Sequence, residues 1–395
     1  MKKKEIYLDN AATTPVDSVV LKKMQPYFNE KYGNSSSIHK AGDLARNGME
    51  KARQQIATFL NCLSEEIYFT SGATESDNWL IYGVIDKFWE EGGKKKPNII
   101  ISSIEHKAII EPAKYLEKNN LAEISILDVN KDGLVDIEDV AKAIKKNTIL
   151  VSIMYANSEI GVIQPIKQIG QLIKEINIKR ENKIVFHTDA VQAINYLNCN
   201  VEYLNVDALS LSGHKIYGPK GIGVLYLKNG TSITSLIRGG GHERGLRSGT
   251  ENIPGIVGLG EAINLVTKKQ KDNVSIKKLR NKLITGIMKD IPNVQLNGSL
   301  EYRLPNNIHF SFTGIEGEGL LIELSEQNIY VSTGSACASH SLKSSHVLLA
   351  IGLSDEESHA SVRFTLGRQT SSNDIDYVLK ILVKAVNRLR KISGK

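Results

Sequence analysis

The sequence predicts an α/β fold: a mostly parallel sheet covered by helices, with a smaller α+β unit following it. Three observations carry that expectation. Short β-rich runs alternate with amphipathic stretches through the first two-thirds of the chain. Polar and reactive residues stand just after those runs. Beyond about residue 265 the alternation gives way to a long charged helical pattern and scattered short strands.

The elements follow in order. Leu44, Met49, Ala52, Ile56, Phe59 and Leu60 share one face of an amphipathic helix over Leu44–Leu60. Glu66–Thr70 (EIYFT) reads as a strand that opens onto Ser71-Gly72-Ala73-Thr74 ahead of a helix, and Asn98–Ser102 (NIIIS) as another that ends near Glu105-His106. Ala122–Leu127 alternates like a strand. Thr148–Tyr155, Lys183–His187, Ala208–Ser212 and Gly223–Leu227 supply four more. The second unit opens with a helix over Ile276–Lys289. Strands near Asn307–Phe312, Tyr330–Ser332 and Val362–Thr365 and a last helix, Asp374–Lys391, complete it. Ligands of such sheets collect outside the carboxyl ends of the strands. Thr74, His106, Asn157, Asp189 and Lys215 each follow a predicted strand closely, so one crevice is expected to gather them.

Composition narrows the class. The 395 residues suffice for two domains and a large core, and 41% hydrophobic with 24% charged residues is ordinary for a soluble globular protein. The net charge of +7 comes from scattered lysines without an aromatic-interleaved stripe, so no nucleic-acid partner is expected. Met1-Lys2-Lys3-Lys4 leads through Glu5 into Ile6-Tyr7-Leu8 with no apolar h-region, and runs such as Ile149–Ala156 are too short to cross a bilayer. Neither a signal peptide nor a membrane partner is expected. Cys62, Cys199 and Cys337 are far apart and odd in number, which argues for a reducing compartment, the cytoplasm, and against a disulfide framework.

Several residues could do chemistry. Lys215, in Ser212-Gly213-His214-Lys215-Ile216-Tyr217-Gly218-Pro219, is either a surface lysine in a turn or an amine held in a crevice. In a crevice it could form a Schiff base with a carbonyl cofactor such as pyridoxal phosphate. That cofactor also needs an acid at its pyridinium nitrogen. Asp189 could be that acid, or it could cap the following helix. Ser71–Ser76 at a strand-to-helix junction reads as a phosphate seat or as a plain N-cap. His106 could stack on an aromatic ring or move protons, or it could be structural. Asp128-Val129-Asn130-Lys131-Asp132-Gly133 approaches an EF-hand loop, but a strand-like segment precedes it and a β-turn explains it without calcium. No zinc spacing is present. Cys337 sits in VSTGSACASHSLKSSHV, residues 331–347, among small, turn-prone residues rather than in an apolar core, where a thiol is either an accident or a reagent.

Taken together these stretches resemble the cysteine desulfurases, pyridoxal-phosphate enzymes of fold type I within the class V aminotransferases. The resemblance covers Tyr7–Pro15 (YLDNAATTP), Thr70–Asn78 (TSGATESDN), Glu105-His106-Lys107, Ser212–Gly223 (SGHKIYGPKGIG), Gly239–Thr250 (GGGHERGLRSGT) and Gly334–Cys337. The long loop and Gly-Ser-Ala-Cys look like group I, which includes the housekeeping iron–sulfur and nitrogen-fixation members. It implies a large domain, residues 16–265, with a mainly parallel seven-stranded sheet sandwiched by helices. Residues 1–15 and 266–395 then form the small α+β domain that carries the cysteine loop.

The resemblance also implies roles. Lys215 bonds the cofactor and moves protons, Asp189 pairs with the pyridinium nitrogen and His106 stacks on the ring. Gln192 and Asn157 address the phenolic oxygen and nearby substrate groups. Ala73, Thr74, Ser212 and His214 hold the phosphate, joined by Thr250 from a second subunit, which implies a homodimer. Arg363 clamps the substrate carboxylate. L-cysteine becomes L-alanine, and its sulfur becomes a persulfide on Cys337 for an iron–sulfur scaffold or another acceptor, with tRNA thiolation a further destination. No resident metal is implied, only transient ligation of a partner's cluster iron by Cys337. Cys62 and Cys199 are expected to be packing residues. Asn34-Ser35-Ser36-Ser37 lacks the proline usual after that asparagine, and Ser158 replaces a second asparagine, neither change removing a catalytic group. The sequence ends at Lys395 without the longer tail that housekeeping members use near their scaffold. The rival readings are a selenocysteine lyase and a catalytically silent sulfur-transfer scaffold.

Overall fold

The computed structural model describes residues 4–269, 272–333 and 344–394. Its strands in chain order are β1 (Ile6–Tyr7), β2 (Ile67–Thr70), β3 (Asn98–Ser102), β4 (Glu123–Leu127), β5 (Thr148–Ser152), β6 (Val185–Asp189), β7 (Ala208–Ser212), β8 (Gly223–Leu227), β9 (Val294–Leu296), β10 (Asn307–Phe312), β11 (Ile329–Tyr330) and β12 (Ser361–Thr365). Strands β2 to β8 form a seven-stranded sheet in the order β2-β8-β7-β6-β5-β3-β4. Its pairs are parallel except for β8, which runs antiparallel to both β2 and β7.

Except at edge strand β4, where Ile126 is exposed, the strands are largely buried on both faces, and most read as continuous apolar runs. Side chains alternate between two cores. Ile100, Val151, Leu209 and Val224 join the core shared with helices Lys40–Leu60, Ile166–Ile178 and Ile253–Lys269. Ile99, Ile101, Leu150 and Leu225 join the core shared with helices Ala73–Glu90 and Lys107–Lys118. Helices therefore cover both faces, and the strand exits face outward along one edge.

A separate core belongs to the second unit. Antiparallel β12-β10-β9 buries Phe310, Phe312 and Phe364 against Leu382 and Val386 of helix Ser372–Ile392. Ile6 and Leu8 pack into this core, and β1 pairs in parallel with β11. The chain then crosses to the first unit, where Thr14 N donates to His214 O at 2.9 Å.

β1 and β9 have no counterpart in the sequence reading, because two or three residues are too few to show a period. The strand expected over Thr148–Tyr155 ends at Ser152, and the one expected over Lys183–His187 is displaced to Val185–Asp189. Asn177 is the reason for the displacement: its side chain bonds both Ile184 N and Ile184 O and holds the chain outside the ladder until the next residue. Asp128–Gly133 leaves strand β4, and Asn130 Oδ1 accepts from Asp132 N and Leu134 N, as in an Asx turn. Among the described residues, no helix is long and apolar enough to cross a membrane.

Candidate active site

A cavity of about 1060 Å³ opens at the carboxyl ends of the parallel strands. Thr74, His106, Asn157, Asp189 and Lys215, the five residues expected there, all line it. Ala73, Gln192, Ser212, His214 and Arg363 line it as well.

Lys215 closes the short helical turn Gly213–Lys215 after β7. A Cβ at Gly213 would lie 2.8 Å from Pro219 O, so the glycine and proline of this stretch set a backbone that aims the lysine. Its Nζ donates to Ala11 O and Ala12 O, each at 2.7 Å, tying the amine to the strap that leaves β1. Asp189 is the last residue of β6 and is 7% exposed. Its Oδ1 accepts from Val191 N at 2.9 Å while the residue lines the cavity, so it caps the turn and faces the site at once. Burial raises its pKa, against the lowering pull of the Val191 N–H and of the His106 and Lys215 charges.

Buried polar groups lie beside Asp189. His187 sits between Ser152 Oγ (2.9 Å) and Ser210 Oγ (3.0 Å), and burial pushes it down to about 3, so it is neutral. Asp77 Oδ1 lies 3.7 Å from His187 Nε2, and burial, followed by the nearby Asp189, pushes Asp77 well up. Glu105, fully buried, accepts from Ser102 Oγ (2.5 Å) and Met154 N (2.9 Å), and burial pushes it up to about 8. A cation in the cavity would favour the ionised form of Asp189.

The anion seat is built on backbone. Gly72 caps helix Ala73–Glu90 with φ 157° and ψ 173°, and no side chain caps the helix. Glu75 N and Ser76 N donate to Gly72 O, so the N–H groups of Ala73 and Thr74 and the helix dipole are what the seat offers an anion. Nothing lies within 4 Å of where a Gly72 Cβ would stand, whereas a Cβ on Gly223 would come 2.6 Å from Gly72 C. Glycine at 223 is therefore required for β8 to pass behind the seat. His214 Nδ1 meets Thr13 Oγ1 at 3.1 Å, and burial, then Lys215 and Lys220, push it down to about 4. Pyridoxal phosphate fits this set: an uncapped helix for the phosphate, a lysine amine for the aldehyde and a buried acid for the ring nitrogen.

His106 caps helix Lys107–Lys118, its Nδ1 accepting from Ala108 N at 3.1 Å, which puts the ring proton on Nε2. Gln192 Nε2 donates to Ala11 O at 3.0 Å. Asn157 spends its amide on the wall itself: Nδ2 donates to Ile104 O, and Oδ1 accepts from Glu159 N and Ile160 N. Arg363, on β12 and 3% exposed, donates from Nη2 to Asp9 Oδ1 at 2.7 Å and from Nη1 to Ser158 O at 2.9 Å.

Two expected residues are not gathered here. Thr250 is exposed and does not line the cavity of its own chain. Cys337 lies outside the described residues. Burial pushes the Cys62 thiol up to about 12 and Cys199 higher still, and both pack against the first core, so neither is a reactive thiolate. Glu159 escaped the sequence reading, and Asp9, Glu105 and His187 entered it only inside quoted stretches, with no role given. Glu105, Glu159 and His187 stand next to or two residues from residues that were named (His106, Ser158 and Asp189), which was the available signal.

The class V aminotransferase model matches residues 6–378. A cysteine desulfurase IscS of Clostridium botulinum (strain Hall) is 49% identical over 99% of this chain and 96% of its own length. A solved NifS-like protein superposes with a TM-score of 0.90 at 38% identity, covering 98% of this chain and 100% of that one. A structure described as SspA in complex with cysteine has a TM-score of 0.79 at 37% identity, covering 92% and 99%. With the lysine, the acid and the anion seat converging in one cavity, these similarities give the conclusion that the chain belongs to the class V aminotransferases and, among them, to the cysteine desulfurases.

Proposed function

We propose that this chain converts L-cysteine to L-alanine and passes the sulfur to Cys337. The observation that carries the reading is the convergence of Lys215, Asp189 and the uncapped helix at Gly72 in one cavity whose lining also includes Arg363. Bound pyridoxal phosphate supplies an electron sink conjugated with the substrate's amino nitrogen. The protein supplies the rest. Arg363 binds the substrate carboxylate and fixes the direction of the Cα–H bond. Lys215 Nζ takes the Cα proton, and Asp189 balances positive charge at the ring nitrogen. His106 would pack against the ring, with its own proton on Nε2 because Nδ1 accepts from Ala108 N.

Sulfur transfer then balances without an outside oxidant. The Cys337 thiolate attacks the substrate sulfur, an S–S bond forms, and the C–S bond breaks with its electron pair passing to the carbon skeleton. That skeleton takes up protons and leaves as alanine, so L-cysteine and a thiol become L-alanine and a persulfide. The next acceptor is an iron–sulfur scaffold or another thiol protein.

The reading extends to a cytoplasmic homodimer in which Thr250 of one subunit completes the phosphate seat of the other. The exposure of Thr250 and its absence from the lining of its own chain's cavity support this. The separate apolar cores support a division into 16–265 and 1–15 with 266–395.

The test is alanine release from L-cysteine with a reductant present, for wild type and Cys337→Ala, both checked for bound cofactor. Alanine from wild type alone supports the reading. Equal yields would remove Cys337 as the acceptor and move the enzyme to another pyridoxal-phosphate chemistry.

A further inference from the structure

Glu75 places a carboxylate beside the anion seat, where a second negative charge opposes binding. It stands in the first turn of helix Ala73–Glu90 and lines the cavity together with Ser71, Gly72, Ala73 and Thr74. Its position has a local reason: an acid in the first turn suits the helix dipole, and Glu75 Oε2 accepts from Ser71 N at 2.8 Å. Burial raises the Glu75 pKa, but hydrogen bonds from Arg247 and Ser71 outweigh it and hold the carboxyl below its ordinary value. The group is therefore a carboxylate at neutral pH. It occupies one N–H of the junction and carries a charge of the same sign as a phosphate.

Arg247 meets that charge. Its Nε lies 2.8 Å from Glu75 Oε1 and its Nη2 3.1 Å from Glu75 Oε2, a bidentate contact. The arginine and glutamate side chains are 20% and 10% exposed, so water and salt screen the pair only in part. Arg247 does not itself line the cavity. Its place in the chain is held separately, because the next residue, Ser248, is buried and donates from N to Ile237 O at 3.2 Å. The guanidinium thus reaches the carboxylate without entering the seat.

We propose that Arg247 balances the charge of Glu75 and so lets the seat accept a phosphate; a neutral pair of side chains would serve equally, whereas Glu75 alone would repel the anion. This rests on the reading of the Gly72 turn as the phosphate seat. The repulsion acts on the phosphate and not on the uncharged hydroxymethyl group that replaces it in pyridoxal. A charge effect and a structural effect are therefore separable by experiment.

Apoprotein of the full chain is prepared by removing the cofactor. Pyridoxal phosphate and pyridoxal are each added back, and equilibrium dialysis gives Kd for both. Arg247→Gln is expected to weaken pyridoxal phosphate about tenfold and pyridoxal by less than about twofold. Adding Glu75→Gln to Arg247→Gln is expected to restore pyridoxal phosphate to within about threefold of wild type, although the ion pair is gone. The amide of Glu75→Gln can still accept from Ser71 N, so that exchange removes charge and keeps the contact. Glu75→Gln alone leaves Arg247 positive beside the seat and is expected to bind pyridoxal phosphate at least as tightly as wild type. It keeps the test open should Arg247→Gln fail to fold.

Equal weakening of both ligands by Arg247→Gln overturns the proposal, because it marks a structural role. So does wild-type affinity for pyridoxal phosphate in Arg247→Gln, absence of recovery in the double variant, or weaker binding in Glu75→Gln. If wild type binds pyridoxal as tightly as pyridoxal phosphate, the reading of the seat falls, and the proposal with it, whatever the variants do.

Discussion

Arg363 and Asp9 form an ion pair where the two units meet: Nη2 of the buried guanidinium lies 2.7 Å from Asp9 Oδ1, and Asp9 bridges to Thr365 on the same strand as Arg363. The pair and Ser158 O fix the plane of the guanidinium before substrate arrives. Lysine cannot reproduce a bidentate carboxylate contact. Arg363→Lys is expected to raise KM for L-cysteine by roughly tenfold or more while kcat falls less. Steady-state kinetics on cofactor-loaded protein measure this, and an unchanged KM would place the carboxylate site elsewhere.

Lys215 is held by two carbonyls at equal distance, a contact that also serves an arginine. Lys215→Arg should therefore fold and keep the loop, yet lose the amine proposed to bond the cofactor and move the Cα proton. Activity is expected to fall by about a thousandfold or more. After borohydride treatment, mass spectrometry should find cofactor mass on wild type and none on the variant. Cofactor fixed to the variant would assign the bond to another amine.

The sheet and the strand exits were legible because each relevant residue follows an apolar run of four or five residues, long enough to read. Lys215, Asp189 and Thr74 could be named for that reason. The Asp9–Arg363 and Glu159–Ser345 pairs were not legible. Their partners are separated by 354 and 186 residues, and no local pattern records such a distance. Asn157 was legible as a site residue, whereas its bonds to Ile104, Glu159 and Ile160 depend on how the chain turns after β5.

Glu105 gives a pH signature. Its ordinary carboxyl value is 4.5, and burial pushes it up to about 8 in the folded protein. Between those values the folded state binds more protons than the unfolded state, so this group's contribution is complete at low pH and is lost as pH rises toward 8. Glu105→Gln cannot ionise and lacks that dependence. The difference in Tm, wild type minus Glu105→Gln, is expected to be most positive near pH 5 and to shrink by pH 9. A difference that grows with pH would mean that Glu105 is held as a carboxylate.

Arg53 and Glu243 form the most buried ion pair between the first helical layer and the segment preceding Thr250. Their side chains are 3% and 2% exposed and Nη2 lies 2.7 Å from Oε1. Glu243 Oε2 also accepts from Arg53 Nη1 at 2.9 Å and from Phe69 N at 3.0 Å, which ties the segment to strand β2. Glu243 and Arg244 have φ values of 46° and 57°, a left-handed conformation that side chains disfavour, so outside contacts must hold them there. Without Glu243 the Arg53 guanidinium keeps only half-exposed Glu50, at 3.1 Å, and Ile67 O, at 2.7 Å, so its buried end loses its charge partner. Glu243→Ala is expected to cost about 3 kcal/mol or more. The double variant Arg53→Met, Glu243→Leu, which strands no charge, should cost less than Glu243→Ala alone. Denaturant midpoints of the two variants decide the matter. Equal loss in both would assign the stabilisation to shape and backbone contacts rather than to the ion pair.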